Sequence, residues 1–269
     1  MPIIIISADV REIEESIAQK VADEMGYNLM NRRILADIAA KHQIDPGRLN
    51  EIMGTTPSLF KKMSARQWRR NLACVEAEVL DHLLAGNIVC QGLAAHLYVT
   101  GISHVMNVRI LSGNSRCIKD IVEKKGLSLQ KAEKCRAAEL QHRKKWSLAA
   151  YVCDETDLSR YDLVINLDQI DPVEAVKTIT GAAEYRKFQV MTYSMKCLAD
   201  LALAAKVNAK LLDSMPSIKV QARDGSVVVI TKALNRQKRK KIATIKELAS
   251  TVDGVSYVEV HVKNNILAS

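Results

Sequence analysis

The sequence predicts an α/β protein: a parallel sheet covered by helices on both faces, followed by a smaller α+β unit. Three observations predict it. Short apolar runs such as Ile3-Ile4-Ile5-Ile6, Ile88-Val89-Cys90 and Leu163-Val164-Ile165 show no alternation, the pattern of strands buried on both faces. Helical patterns separate these runs, and alternating strands and helices with right-handed crossovers give a parallel sheet. Beyond the helical pattern that ends near Leu212, the apolar period shortens to two at Ile218, Val220 and Ala222.

The first strand, Pro2 to Ile6, runs into a helix with Ile13, Ile17, Val21 and Met25 on one face, closed by Gly26. A strand, a tight turn and a helix N-terminus form the geometry on which α/β proteins hold phosphate. Yet no glycine lies between Met1 and Met25, and the turn reads Ala8-Asp9-Val10. A phosphate loop needs glycines because its N–H groups curl around the anion in conformations that a Cβ disfavours. Asp9 and Glu12 have the spacing of a capping box, so carboxylates are expected at that helix N-terminus.

Ile34 to His42 forms the second helix. Leu49 to Met63 is expected to be helical with a break at Pro57, and Ser64 to cap a long helix running to Leu84. Gly86-Asn87 turns into the strand Ile88–Cys90. Val105 to Leu111 is the next strand, followed by a helix opened by Ser112-Gly113-Asn114-Ser115 and containing Arg116. Ser128 begins a helix rich in Lys and Arg through Lys145. Tyr161 to Asn166 is read as a fourth buried strand, and Asp171-Pro172 as a helix start by cap and first-turn proline. A long helix is expected from Tyr185 to Leu212, its stripe (Met191, Met195, Leu198, Ala202, Ala205, Ala209, Leu212) covering the smaller sheet. Then come the hairpin turning at Asp224-Gly225, a helix from Lys238 to Val252 and a last strand from Val255 to Val262. The expected units are residues 1–187 and 188–269.

Hydrophobic residues at 48% with 26% charged exclude global disorder. No apolar run reaches membrane-spanning length and no cationic leader precedes an apolar segment, so a cytoplasmic protein without a transmembrane segment is expected. Six cysteines without a Cys-x-x-Cys pair read as reduced thiols, and no metal site is expected. His96 and His104 have no carboxylate or cysteine at ligand spacing and read as structural. Of the net charge of +9, residues 213–269 supply ten Lys/Arg against five Asp/Glu. The run Arg236-Gln237-Lys238-Arg239-Lys240-Lys241 opens a helix, where the dipole disfavours cations. Arg236, Lys238, Arg239, Lys240 and Lys241 are therefore candidate contacts for an anionic partner: lipid, nucleic acid or protein. The bland alternative is a solvated turn, with another copy of the chain as partner.

Residues 1 to about 182 resemble the cytidylate kinase-like branch of the nucleoside monophosphate kinases, within the P-loop superfamily. Arg11-Glu12-Ile13, Gly26-Tyr27, Asn31-Arg32, Gly126-Leu127-Ser128 and Tyr161-Asp162-Leu163-Val164-Ile165-Asn166 carry the resemblance. Residues from about 194 to 264 resemble a BON domain through Ile218-x-Val220, Asp224-Gly225-x-Val227 and Gly254-Val255-x-x-Val258. The first resemblance implies a nucleotide site. Its family's phosphate loop reads roughly Gly-Ser-Gly-Gly-Arg-Glu-Ile, of which Arg11-Glu12-Ile13 survives; its Asp-Arg-Glu appears as Asn31-Arg32-Arg33; its Gly-Arg-Gly becomes Gln91-Gly92-Leu93. Arg11, Asn31 and Arg32, with Arg116, Arg136, Arg143 and Lys144 of the lid region, are the implied nucleotide or phosphate contacts. Three readings follow: a kinase-like domain without catalysis, acting as a nucleotide-responsive sensor or scaffold; an active kinase using ATP and Mg²⁺ on a cytidylate-like acceptor; or a scaffold that binds no nucleotide.

Overall fold

The computed structural model describes residues 2–56, 63–112, 122–123, 126–215, 218–233 and 235–264. Five parallel strands, β1 (Ile3–Ala8), β2 (Asn28–Met30), β3 (Ile88–Gln91), β4 (Val105–Leu111) and β5 (Leu163–Asn166), form the larger sheet in the order β2-β3-β1-β4-β5. Around it lie α1 (Arg11–Met25), α2 (Ile34–His42), α3 (Pro46–Ile52), α4 (Ala65–Leu83), the short α5 (Ala95–Tyr98), α6 (Leu129–Tyr151) and α7 (Pro172–Ala183). The α/β class with a parallel sheet and a smaller second sheet is thus the architecture observed.

β1 is central because both of its faces are apolar. Ile3 and Ile5 point into a core with α2, α3 and α4, whereas Ile4 and Ile6 point into one with α1 and α7. All four are fully buried, and burying each is worth about 1.5–3 kcal/mol. α1 ends as expected, with Gly26 in the left-handed region at φ 65°. Ser64 caps α4 through a reciprocal box with Gln67, and Asp171 caps α7 by accepting from Val173 and Glu174.

Three expectations are corrected. The segment after Leu49 stops being helical at Ile52; Pro57 lies outside the described residues, as do Arg116 and residues 113–115 before it. β5 is an edge strand in which Ile165 alone is buried. The long helix is α8 (Thr192–Leu212), preceded by a short turn at Arg186–Phe188 that buries Phe188.

α8 also packs differently from expectation. Leu198, Ala202, Ala205, Ala209 and Leu212 join the α4 side of the first core, with Ala73 and Ala77 of α4 in the same cluster. The small sheet takes the opposite face: Val207 and Leu211 meet Val227, Val229 and Val258. That sheet contains β6 (Ile218–Arg223), β7 (Ser226–Ala233) and β8 (Tyr257–Asn264), with β6-β7 antiparallel and β7-β8 parallel across α9 (Lys238–Ser250). One helix is therefore built into both cores. Arg70 of α4 pairs with Asp213 at its end at 2.6 Å. Ser194 at its start bonds His104 before β4. Among the described residues, no helix is long and apolar enough to cross a membrane.

Candidate functional site

Strand order reverses at β1: the connection leaving β1 runs toward the β2 edge, whereas those leaving its neighbours β3 and β4 run toward the β5 edge. Ligands of open α/β sheets bind at the carboxyl ends of strands beside such a point. A cleft of about 220 Å³ opens there, lined by Ser7 near the end of β1, Asp9 after it, Arg11 and Glu14 of α1, Gly92 after β3, and Arg143 of α6. A wider concavity of about 660 Å³, beside Arg48, Arg66 and Asp213, lies at the start of α4 and contains none of the expected site residues.

The turn after β1 is closed by a carboxylate, but not by the expected one. Val10 is the cap of α1 and no side chain bonds the helix N-terminus. Asp9 instead accepts from the Ser112 N–H at 2.9 Å and hydroxyl at 2.6 Å, and pairs with Arg136 at 2.8 Å. It ties the turn to β4 and α6. Glu14 is the residue that turns back: its Oε2 accepts the Ala8 N–H at 2.9 Å. The next amide, Asp9 N–H, is donated to the Ile110 carbonyl. The two amides after Ser7 are both taken.

Opposite Glu14, Gly92 adopts φ +64°, and a Cβ there would stand 2.6 Å from Glu14 Oε1. Leu93 and Ala94 follow with φ 58° and 56°, so the cleft wall is a left-handed turn in which only the first residue is glycine.

Charge in the cleft is heavily compensated. Arg143 donates to Glu155 at 2.7 Å and to the Ala8 carbonyl at 2.7 Å. Burial alone would lower its pKa, but the carboxylates of Glu155 and Glu14 hold it above the ordinary value. Burial raises the Glu14 carboxyl above its ordinary range, against the opposing pull of the Ala8 N–H, Arg143, Arg109 and Arg32. Burial, with Arg11 and Arg143 adding repulsion, lowers the Arg32 guanidinium. Below the cleft, Arg109 is buried, donates to Ser7 Oγ at 2.7 Å and sits 5.8 Å from the Tyr161 ring centre.

His96 forms part of the wall. Tyr161 donates to the Glu155 carbonyl, so the His96 Nε2–H donates to the Tyr161 oxygen at 3.1 Å. Burial, then Arg109, Arg143 and Arg160, push its pKa down to about 3, and Nδ1 is left as a buried acceptor without a partner among the described residues.

A family model described as the cytidylate kinase-like family matches residues 3–169 of the 269. The chain belongs to the cytidylate kinase-like family. No curated protein matches it. Among solved structures it is similar to an uncharacterized protein from Eubacterium ventriosum ATCC 27560, at 16% identity over 69% of this chain and 99% of that one, with TM-score 0.49. It is also similar to shikimate kinase from Bacteroides thetaiotaomicron (11% identity, 68% and 99% covered, TM-score 0.42) and dephospho-CoA kinase from Campylobacter jejuni (17%, 67% and 96%, 0.37).

Of the residues that the cytidylate kinase-like pattern implies, Arg11, Arg32 and Arg143 line the cleft. Arg136 reaches its edge through Asp9. Asn31 accepts from the Arg33 N–H and faces a groove beside β2, and Lys144 pairs with Asp154 at 2.7 Å. Glu14, Glu155 and His96 have no local signal as site residues. Glu14 reads as an ordinary helix residue, and its partners are fixed only once β3 and α6 have been placed. Among the described residues there is no cluster of His, Cys, Asp or Glu able to hold a metal ion.

Proposed function

We propose that the family fold here serves as a nucleotide-responsive sensor or scaffold without phosphoryl transfer, coupled to the BON-like C-terminal unit. The observation that carries this reading is the Glu14 carboxylate on the Ala8 N–H. A phosphate loop presents its amides to an anion; this turn presents them to its own carboxylate and to Ile110. The turn does not fit a triphosphate with its Mg²⁺. Phosphoryl transfer depends on positioning and charge neutralisation, and a fixed carboxylate opposes both.

Purified protein with ATP, Mg²⁺ and CMP is expected to show no transfer, and calorimetry is expected to show heat on adding nucleotide. Turnover anywhere in the usual range of about 1–100 s⁻¹ overturns the reading. Binding of no nucleotide leaves a scaffold. One observation favours the active alternative: the guanidinium groups of Arg11 and Arg32 line the cleft with no hydrogen bond or ion pair to a side chain or carbonyl among the described residues.

A further inference from the structure

The small sheet has a covered face and an open one. Ile218, Val220 and Ala222 of β6, Val227 and Val229 of β7, and Val258 and Val260 of β8 face α8 and α9. Because side chains alternate along a strand, the residues between them share the other face. The register confirms this: Arg223 pairs with Ser226 and Ser226 with Tyr257, while Lys219 pairs with Ile230 and Ile230 with His261. Among the described residues no element covers that face.

Its chemistry is one-sided. Lys219, Arg223, Lys232 and Lys263 are exposed upon it, Lys232 and Lys263 side by side in register. Glu259 is its one carboxylate, and it pairs with His261 at 3.0 Å. The rim at the carboxyl ends of β7 and β8 adds Arg236, Lys238, Arg239 and Lys240, all exposed. Lys241 lies back against the sheet, its Nζ donating to the Lys232 carbonyl at 2.8 Å, which fixes this end of α9 over the strand ends. No acidic residue and no side-chain cap occupies the first turn of α9. From Gly225 to Lys246 the sequence has no Asp or Glu.

We infer that this open face and its rim bind single-stranded nucleic acid. The cations form a track for a phosphate backbone, and Tyr257, 59% exposed on the same face, supplies a ring on which a base stacks. A sheet surface with an exposed ring suits splayed bases; a duplex hides them. A lipid surface fits less well, since reversible membrane docking needs an inserted apolar face besides basic residues, and Val228 and Ile230 on this face are half-buried.

The test is fluorescence anisotropy of the full chain with a labelled 20-nucleotide single strand, its duplex and phosphatidylserine vesicles. The single strand is expected to bind best. With about four phosphates neutralised, affinity should fall about 50-fold between 50 and 200 mM salt. Tyr257→Ala should weaken it about fivefold or more through lost stacking, and Lys232→Glu with Lys263→Glu should abolish it, with the melting temperature unchanged because all three side chains are exposed. Equal binding of duplex with Tyr257→Ala silent, binding to vesicles alone, or no binding at 50 mM salt would each overturn the proposal.

Discussion

At the scale of single residues, Glu14 combines two effects that are separable by substitution. Its carboxylate satisfies the Ala8 N–H and places negative charge beside Arg32 and Arg143. Glu14→Gln keeps an acceptor and removes the charge. Repulsion of a like charge near 5 Å at intermediate dielectric is on the order of 1–3 kcal/mol, so pyrophosphate should bind this variant about tenfold more tightly or better. Unchanged affinity in calorimetry would show that Glu14 does not guard the turn. The buried titratable groups also set a pH profile. His96 and His104 are neutral in the fold with lowered pKa values, so the unfolded chain binds their protons first and stability falls as pH drops below 6.5. Glu14 and Glu76 are raised by burial, Glu76 to about 7, and their contribution runs the other way, declining as pH rises from 4.5. The two slopes oppose each other between pH 4.5 and 6.5; below, the histidine slope is joined by the carboxylates of Glu78, Asp154 and Asp157, whose lowered pKa values make stability fall as they protonate. Denaturant titrations should find a near-plateau across that window and a steep fall beneath it. A steep fall already between pH 6.5 and 5 would contradict the opposing pairs.

Among the elements, helix ends separate what local sequence encodes from what it does not. α1 stops at Gly26 in the left-handed region, a stop readable from the sequence alone. α6 stops in the same conformation at Val152, φ 56°, a β-branched residue that is 89% exposed. A Cβ in that region costs roughly 1–2 kcal/mol, and nothing packed on Val152 offsets it. Val152→Gly should therefore stabilise the protein by about 1 kcal/mol, raising the melting temperature by about 2–4 °C; a lower melting temperature would mean that the side chain has a partner. The same division runs through the site. β1, the capped α4 and the hairpin at Asp224-Gly225 follow from period, cap and turn chemistry close to each residue. Asp9 looked like a helix cap because Glu12 stands three residues on, but Ser112 and Arg136, distant in sequence, hold it instead. Glu14 was invisible for the same reason. The edge position of β5 depends on strand order, which the apolar run Leu163-Val164-Ile165 does not contain.

For the molecule as a whole, α8 decides how the parts behave together. An alanine-rich stripe read as covering for the small sheet packs on α4, and its other side serves that sheet. Removing Leu198 or Leu212 from the first core would leave buried leucine sites empty, at about 2–5 kcal/mol each. Unfolding should therefore be one transition: the fluorescence of Trp68 and Trp146, both in the first core, should follow the same denaturant curve as far-ultraviolet ellipticity. Separated midpoints would show that the two sheets melt independently. The shared helix also has a consequence for synthesis. A growing chain completes β5, the last strand of the large sheet, at Asn166, yet the wall that seals α4 is finished only at Leu212. At about 5–20 residues per second, the ribosome needs roughly 2–9 s to make the intervening stretch. During that interval the nascent sheet is complete in its strands and open on one side, with apolar surface on α4 available to chaperones or to a neighbouring nascent chain.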